Sequence, residues 1–405
     1  MQEELYFRHF FDVFAVAGAL AEWAVACWVL AGYGVSPPPL AHALAPLMLA
    51  ILNRLAARRF HREPARGLLT GPGGQIVLAV AMAGIVGVVA LGGAATACIT
   101  LQVLGGFRAE AGVVAAGASE ALLGLEFRLM GSVALGLSVA AVAYGYTRGH
   151  RRLVVTHVDV PVAGLPPALV GFRIVQLSDL HLGPIADRSA LREAFARAVE
   201  LQPDVICLTG DIVDSPAADL SAWMPELRLL TARHGVFAIL GNHDHRVGFD
   251  HVTAAFARWT GCRVLRDEVA TIAIGEARLH LAGLDHQPPA SAAKLVPGLV
   301  AQAGAGEPVV LLAHHPNTFP VAVANGVDLM LAGHTHGGQI AMPGVPRLNI
   351  ARLLITRYDA GTFALGGAVL HVNRGLGASA QRVRIGAPRE ISVLRLVAAD
   401  AARAA

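Results

Sequence analysis

The sequence predicts two regions of different class, an all-α transmembrane region followed by an α/β domain. The chain has 405 residues, of which 55% are hydrophobic and only 15% are charged. It is therefore too apolar for one soluble domain and too long for a single core. Charged residues are sparse as far as Gly149, after which short apolar runs alternate with amphipathic stretches, as in α/β folds. We predict a transmembrane region at 1–150 and an α/β domain at 151–405.

Four apolar segments in the first region are candidate membrane spans, because a spanning helix needs about 20 mostly apolar residues. They are residues 10–35, 40–55, 75–104 and 129–146. The second is the shortest, whereas the third and fourth contain no formal charge. Glu3 and Glu4 stand where a secretory signal would carry basic residues, so we do not expect a cleaved signal peptide.

Arginine placement orients these predicted spans. Cytoplasmic loops of membrane proteins collect Lys and Arg. The predicted loop after the second segment contains Arg54, Arg58, Arg59, Arg62 and Arg66, and a second cluster, Arg148, Arg151 and Arg152, follows the fourth segment. Four spans place both clusters on the cytoplasmic side. We therefore predict a multi-pass protein of a bacterial inner membrane whose α/β domain faces the cytoplasm.

Charge and cysteine content exclude other classes of function. The net charge is only +3, and Lys294 is the sole lysine, so the arginines indicate compositional bias rather than a nucleic-acid surface. We expect no nucleic acid among the partners. The four cysteines have no paired spacing that would indicate a disulfide or a zinc site.

The second region places polar residues just beyond apolar strands. We predict strands at 172–177, 204–208, 236–240, 309–312 and 327–331, and a helix capped by Asp187 that extends to about residue 201. Each strand ends shortly before a motif containing Asp, Asn or His. Open α/β sheets usually place their sites at such strand ends.

Five short motifs supply the chemistry. They are Ser178-Asp179-Leu180-His181, Gly210-Asp211-Ile212-Val213-Asp214, Gly241-Asn242-His243-Asp244, Ala313-His314 and Gly333-His334-Thr335-His336. A two-metal hydrolase needs a carboxylate that bridges both cations, together with oxygen and nitrogen ligands that complete each site. A single Gly-Asp is commonly plain turn chemistry, but five motifs in this order indicate a two-metal phosphoesterase.

These motifs, in this order and spacing, resemble the calcineurin-like metallophosphoesterase family over residues 172–396. Residues 173–183, the Gly-His-Thr-His-Gly-Gly-Gln-Ile run and the later Asn373-Arg374-Gly375-Leu376-Gly377 are similar to the bacterial membrane-associated branch. That branch includes small phosphodiesterases and enzymes similar to UDP-2,3-diacylglucosamine pyrophosphatase. The resemblance implies a four-layer sandwich of two mixed sheets flanked by helices.

The resemblance also implies ligand roles. One metal ion would be held by Asp179, His181 and His336 and the other by Asn242, His314 and His334, with Asp211 bridging the two. This donor set suits manganese first, with iron, zinc or magnesium as alternatives.

The catalytic pair implied by the resemblance is His243 and Asp214. His243 would protonate the leaving oxygen, and Asp214 would orient its imidazole. Asp244 is expected to support the loop. His245 and His315 are expected either to contact substrate or to play a supporting role.

Departures from other branches narrow the predicted reaction. Ser215 stands where phosphoprotein phosphatases of this superfamily carry Arg, and Asp214 stands where purple acid phosphatases carry a tyrosinate ligand. No cysteine of the second region begins a Cys-x5-Arg loop. These departures argue against protein dephosphorylation, a tyrosinate-iron site and a phosphocysteine route.

The sequence thus predicts a membrane-anchored, dinuclear-metal phosphoesterase. Its substrate would be a phosphorylated small molecule or lipid with a diester or pyrophosphate bond, lipid-linked or nucleotide-linked, with UDP-2,3-diacylglucosamine as one candidate. The alternative is a membrane sensor or transporter-like protein that binds a ligand without turnover. Several paired polar groups within the membrane would favour that alternative, and only Asp12 and Glu22 are evident. Glu22 is either functional or an acid that faces a neighbouring helix. We expect headgroup selection in a cap at 250–305 and 348–363; the sequence predicts no oligomeric state.

Overall fold

A computed structural model describes residues 2–62, 80, 87, 91, 116–216, 218–285, 289–342, 344–379 and 381–399. The chain divides into two compact units, Met1–Tyr144 and Gly145–Ala405.

The first unit is helical. Its helices are α1 (Gln2–Gly32), α2 (Pro39–Arg62) and α3 (Ala116–Thr147). The last three residues of α3 belong to the second unit. Among the described helices, the stretches Ala15–Gly32 and Arg128–Arg151 are long and apolar enough to cross a membrane, whereas Pro39–Leu55 is shorter. The predicted third span, 75–104, lies outside the described residues apart from three isolated positions.

The arginines predicted to lie in a loop after the second segment are in fact largely helical, because α2 continues through Arg54, Arg58, Arg59 and Arg62. Arg and Ala are good helix formers, so the helix continues beyond its apolar stretch. Arg66 lies outside the described residues. Arg58, Arg59 and Arg62 still follow the apolar stretch Pro39–Leu55, so this basic cluster lies at a helix end instead of in a loop, and the orientation stays a prediction.

Both acids of the first span pair with residues of α2. Arg54 donates two hydrogen bonds to the Asp12 carboxylate, each 2.7 Å long, and Asn53 Nδ2 lies 3.3 Å from Glu22 Oε2. Glu22 therefore faces a neighbouring helix, which is one of the two alternatives that the sequence left open. Polar pairs of this kind hold helices together where the surroundings are apolar.

The second unit contains two six-stranded mixed sheets. The strands of the first sheet are β1 (Leu153–Val162), β2 (Arg173–Leu177), β3 (Val205–Thr209), β4 (Val236–Ile239), β5 (Arg263–Val264) and β14 (Arg389–Ala398). Those of the second are β6 (Glu268–Ile274), β7 (Ala277–Gly283), β8 (Val309–Leu312), β9 (Leu329–Ala332), β12 (Gly361–Leu365) and β13 (Ala368–Val372). The first sheet has the order β1-β14-β2-β3-β4-β5 and the second the order β12-β13-β9-β8-β7-β6. Each sheet contains a run of four parallel strands. In the first sheet these are β2, β3, β4 and β5, and in the second they are β7, β8, β9 and β13.

Helices cover the outer face of each sheet. They are α4 (Arg188–Glu200), α5 (Leu220–Trp223) and α6 (Asn242–Trp259) on the first sheet, and α7 (Pro289–Val300) and α8 (Phe319–Ala324) on the second. Side chains alternate along the strands, so that Ile174 faces the core between the sheets while Val175 and Leu177 face the helices. The predicted four-layer sandwich is confirmed. A separate hairpin of β10 (Ala341–Met342) and β11 (Val345–Asn349) leads into α9 (Ile350–Leu354).

Most element bounds agree with the prediction to within two residues. The prediction of a cap at 250–305 is wrong, because this segment supplies the end of α6, the strands β5, β6 and β7, and α7. Glu268–Ile274 alternates in burial, as expected of a strand at a sheet edge.

Asp187 caps α4, as predicted, and also joins two arginines. Its carboxylate accepts the Ala190 backbone N–H at 3.2 Å and pairs with Arg151 at 3.1 Å and Arg382 at 2.5 Å. Burial alone would raise the pKa of Asp187, but the Ser189 hydroxyl, the Ala190 N–H and the two arginines lower it to about 2.

Replacing Asp187 by Ala should lower the free energy of unfolding by about 1–2 kcal/mol at pH 7. The folded pKa lies below the unfolded value, so this stabilisation is present above about pH 4 and is lost as the pH falls towards 2. Thermal unfolding of the variant and of the unsubstituted chain, at pH 7 and at about pH 2, measures the effect. Asp219→Ala is the control, because Asp219 caps the four-residue helix α5. An equal loss in both variants would contradict a contribution from the arginines.

Candidate metal centre

The predicted site residues lie beyond the carboxyl ends of five strands, at one edge of the sandwich. Asp179 and His181 follow β2, and Asp211 follows β3. The others are Asn242 and His243 after β4, His314 after β8, and His334 and His336 after β9. Parallel strands bring these ends together, so residues up to 157 positions apart share one site.

The backbone at the site adopts an uncommon conformation. Asp179, His181, Asp211, His334 and His336 all have positive φ, between 46° and 72°. This region is sparsely populated by residues other than glycine, and it costs on the order of 1–3 kcal/mol per residue. Hydrogen bonds between the loops hold it, including Asp179 N–H to Gly210 O at 3.0 Å and His181 N–H to Asp211 O at 3.1 Å.

Two glycines allow the loops to approach one another. A Cβ on Gly241 would lie 2.2 Å from Asp211 Oδ1, and a Cβ on Gly333 would lie 2.2 Å from Asp179 Oδ2. No side chain fits at these distances. The glycines of these two motifs are therefore required by the close packing of the site.

The first cluster consists of Asp179, His181 and His336, whose ligand atoms all lie within 4.8 Å of one another. His181 Nε2 is 3.0 Å from His336 Nε2, and His336 Nε2 is 3.4 Å from Asp179 Oδ1. All three side chains are buried. One cation placed among these atoms could contact a carboxylate and two imidazoles, a donor set suited to Mn, Fe or Zn.

A second cluster consists of Asp211, His314 and His334. His314 Nε2 lies 3.2 Å from Asp211 Oδ2, and His334 Nδ1 lies 3.0 Å from Asn242 Oδ1. Asp211 Oδ2 is also 3.8 Å from His181 Nε2. Asp211 therefore lies between the two clusters, where one carboxylate could contact two cations.

Neighbouring acceptors orient two of the imidazoles. His181 Nδ1 hydrogen-bonds to Asp214 Oδ1 at 3.0 Å, and His314 Nδ1 hydrogen-bonds to the Thr209 carbonyl at 2.8 Å. A neutral ring that donates from Nδ1 presents an Nε2 lone pair to the site, as metal-binding histidines do. The donor set of the site therefore fits a pair of divalent cations.

The pKa values of the site residues are shifted in different directions. Burial alone would raise the pKa of Asp211, but His314 and His243 outweigh it and hold that pKa well below its ordinary value. Burial lowers the pKa values of His334 and His336 well below the ordinary value. An ionised carboxylate and neutral imidazoles are the forms that bind metal ions. Burial alone would lower the pKa of His314, but Asp211 raises it to about 9, so this imidazole would release a proton when a cation binds.

Asp214 differs from its predicted role. Its carboxylate bonds His181 Nδ1 at 3.0 Å and lies 3.8 Å from His243 Nδ1, whereas its backbone carbonyl accepts the His243 Nδ1 hydrogen at 2.8 Å. Because Nδ1 carries a single hydrogen, the nearer carbonyl takes it. The Asp214 side chain thus orients His181, and the Asp214 backbone orients His243.

Several supporting residues complete the edge. Asp244 accepts three backbone N–H groups, from Gly241, Ile212 and Val213, and so supports the loop as expected. Asp285, which was not predicted from the sequence, follows β7 and accepts a hydrogen bond from His245 at 2.7 Å. Its place after a strand end was the only signal, because it belongs to none of the five motifs.

Arg384, which was not predicted from the sequence either, is the largest fully buried side chain in the described part of the chain. Its Nη2 donates to the carbonyls of Gly377 and Arg374 at 2.6 and 2.8 Å and lies 3.2 Å from His336 Nδ1. The Gly377 N–H in turn donates to the Asp179 carbonyl at 2.7 Å. Arg384 therefore contacts one residue of the first cluster directly and supports another through the 374–377 loop.

Arg384→Lys should weaken divalent cation binding at the first cluster about tenfold, because lysine keeps the charge but loses the planar set of donors. Titration of the metal-free protein with Mn²⁺ measures this. Arg173→Lys is the control, since Arg173 donates to the Leu201 carbonyl and lies at the opposite end of β2 from Asp179. Equal affinities in both variants would contradict the role of Arg384.

Comparisons with known proteins agree with this geometry. Residues 172–338 match the family model described as calcineurin-like phosphoesterase. The chain is 31% identical over 273 residues to the uncharacterized metallophosphoesterase YkuE of Bacillus subtilis, covering 66% of this chain and 94% of that protein. It is 33% identical over 238 residues to phosphodiesterase YaeI of Escherichia coli, covering 56% and 82%. A transmembrane protein with metallophosphoesterase domain of Danio rerio is 30% identical over 289 residues, covering 68% of this chain and 64% of that protein.

Proposed function

Because this chain belongs to the calcineurin-like phosphoesterase family, we propose that it cleaves the phosphodiester or pyrophosphate bond of a lipid-linked or nucleotide-linked substrate at a membrane. The chain is a metal-dependent hydrolase of phosphoester bonds, and its family uses a dinuclear metal centre. The observation that carries the proposal is the position of Asp211 between the two clusters.

The proposed ligand assignment follows from the two clusters. Asp179, His181 and His336 would hold one ion; Asn242, His314 and His334 would hold the other; Asp211 would contact both. Manganese is the first choice for this donor set, with iron, zinc or magnesium as alternatives. When bound, such a pair supplies an activated water and neutralises charge on the phosphoryl oxygens.

His243 is the proposed general acid. Burial lowers its pKa to about 4, so its imidazole is neutral at pH 7 before substrate binds. An anionic phosphoryl group beside the ring would raise this pKa, because an opposite charge favours the protonated form. His243 would then take up a proton at Nε2, keep its Nδ1 bond to the Asp214 carbonyl, and deliver the proton to the leaving oxygen.

Two observations support a diester or pyrophosphate bond over a phosphomonoester. Ser215 stands where monoester-cleaving protein phosphatases of this superfamily carry Arg. The similar Escherichia coli protein is named a phosphodiesterase.

The membrane part of the proposal is supported by the two candidate spans and by relatives named transmembrane proteins. We place the chain in a bacterial inner membrane with the second unit in the cytoplasm, where a tethered domain meets amphiphilic substrates at high effective concentration.

A reporter that is active only in the cytoplasm, fused to the C-terminus, should be active. An inactive fusion that is still inserted would contradict this orientation.

Hydrolysis by the detergent-purified full chain tests the proposed reaction. With Mn²⁺, bis(p-nitrophenyl) phosphate should be cleaved at least about tenfold faster than p-nitrophenyl phosphate, because Ser215 follows Asp214 in the chain and supplies no positive charge for the extra charge of a monoester. EDTA should abolish the activity and Mn²⁺ should restore it. Faster monoester cleavage would overturn the diester assignment, and activity that resists EDTA would overturn the metal assignment.

A further inference from the structure

One segment beside the metal centre exposes an unusual amount of apolar surface. Six large apolar side chains between Met342 and Ile355 are 43–66% exposed, namely Met342, Val345, Leu348, Ile350, Leu353 and Ile355. The rest of the second unit, where described, exposes only three such side chains, Val170, Leu229 and Leu365. Surface patches that gather apolar residues in this way commonly mark contact with another phase or molecule. We call Met342–Ile355 the apolar hairpin.

The backbone of the apolar hairpin explains its exposure. Strands β10 and β11 form a two-stranded sheet of their own, separate from both six-stranded sheets. Residues 345–348 are exposed at four successive positions, so both faces of β11 are open. An ordinary antiparallel strand buries one face against the core. This hairpin therefore has exposed apolar side chains on two sides, and the guanidinium of Arg347 lies 5.7 Å from the ring centroid of Phe363 in β12.

Charge indicates what covers the hairpin. Arg347 and Arg357 are exposed, while Arg352 is half-buried and pairs with Asp359 at 3.0 Å. The sequence from Gln339 to Tyr358 contains no Asp or Glu. Apolar side chains accompanied by arginines, without acids, are typical of segments that lie in the interface of an anionic bilayer.

The root of the hairpin is tied to the metal centre. A Cβ on Gly338 would lie 2.6 Å from the Cβ of Asn349, the last residue of β11. Asn349 Nδ2 donates to Asp359 Oδ2 at 2.7 Å, and the Asp359 carbonyl accepts the hydroxyl of Thr335. Thr335 stands between His334 and His336. The position of the hairpin is therefore coupled to the turn that carries two candidate ligands.

We propose that the apolar hairpin docks on an anionic lipid bilayer, with its apolar side chains among the upper acyl chains and Arg347 and Arg357 among the headgroups. Docking would hold the metal centre at headgroup level, where the phosphate of a membrane lipid is the accessible substrate. This inference rests on the proposed membrane location and does not depend on turnover.

Fluorescence quenching of the full chain in nanodiscs tests the docking. A tryptophan is introduced as Leu353→Trp, and lipids brominated near the top of the acyl chain serve as the quencher. The signal of the unsubstituted chain is subtracted for its native tryptophans. In discs that contain phosphatidylglycerol, the added fluorescence should fall about twofold. Leu229→Trp, at an exposed apolar position outside the hairpin, is the matched control and should not be quenched.

Two further variants separate the outcomes. Combining Leu353→Trp with Arg347→Ala and Arg357→Ala, or using discs of phosphatidylcholine alone, should reduce the quenching. Absence of quenching in phosphatidylglycerol discs would overturn the proposal. Concentration-dependent dimerisation that Leu353→Glu abolishes, without lipid quenching, would identify a second copy of the chain as the occupant and also overturn it. Normal diester hydrolysis by a variant shows that the variant is folded. If the unsubstituted chain does not hydrolyse the diester but its hairpin is still quenched by lipid, the proposed function is contradicted and the docking is not.

Discussion

Replacing Asp211 by Asn is expected to lower kcat/KM for diester hydrolysis by at least about a thousandfold. Asp211 is buried and lies 3.2 Å from His314 and 3.8 Å from His181, so it contacts both clusters. The amide has nearly the same shape but no charge, and charge neutralisation is what a bridging ligand provides to two cations. The side-chain oxygen of the introduced asparagine could still accept the His243 backbone N–H, which Asp211 Oδ1 accepts at 2.8 Å. The loss should therefore come from the missing charge rather than from unfolding.

Metal content and activity of Asp211→Asn are measured together. We expect the variant to retain less than one equivalent of Mn²⁺ after gel filtration. Asp328→Asn is the matched control, because Asp328 precedes β9, at the opposite end of the strand from His334, and accepts the Val309 N–H at 2.9 Å. If Asp211→Asn keeps a tenth of the activity and the full metal content, Asp211 does not bridge two ions.

His243→Ala is expected to have an effect that depends on the leaving group. A general acid contributes about a hundredfold to ten-thousandfold when the leaving oxygen is basic, and little when it leaves readily as an anion. We expect about a thousandfold loss of kcat with an alkyl phosphodiester and less than about tenfold with bis(p-nitrophenyl) phosphate. The geometry supports this role, since the Asp214 carbonyl holds Nδ1 and leaves Nε2 for the proton.

His243→Gln and His234→Ala are the companions for this measurement. Glutamine can donate a hydrogen bond but cannot transfer a proton, so it should show the same dependence on the leaving group. His234 stacks on Phe172, the residue before β2, and its replacement should leave kcat unchanged for both substrates. A loss of equal size with both leaving groups would show that His243 positions the substrate instead of protonating it.

The grouping of the site residues could be predicted from the sequence for one physical reason, whereas the four-layer sandwich was implied by the resemblance of the motifs to a known family. Short apolar runs define the buried parallel strands, and each motif follows such a run directly, as Asp211 follows β3 and His314 follows β8. The carboxyl ends of parallel strands meet at one edge. The sequence of apolar runs, each followed directly by a motif, therefore predicts where the site lies as well as its chemistry.

Other features depend on three-dimensional packing that no local pattern encodes. The partner of His243 is the Asp214 carbonyl and not its carboxylate, which only the relative orientation of two loops decides. Arg384 lies 48 positions from His336 and belongs to none of the five motifs. The segment 250–305 was misread as a cap because it contains no motif, although the alternation in β6 indicates a strand.

Counting the metal ions in the full chain tests the central claim most directly. The metal-free protein is titrated with Mn²⁺, and the free ion is followed by electron paramagnetic resonance. The proposed clusters predict that two equivalents bind and that their spectrum shows two exchange-coupled ions sharing Asp211. Binding of a single equivalent, or of two uncoupled ions, would contradict a dinuclear centre bridged by this carboxylate.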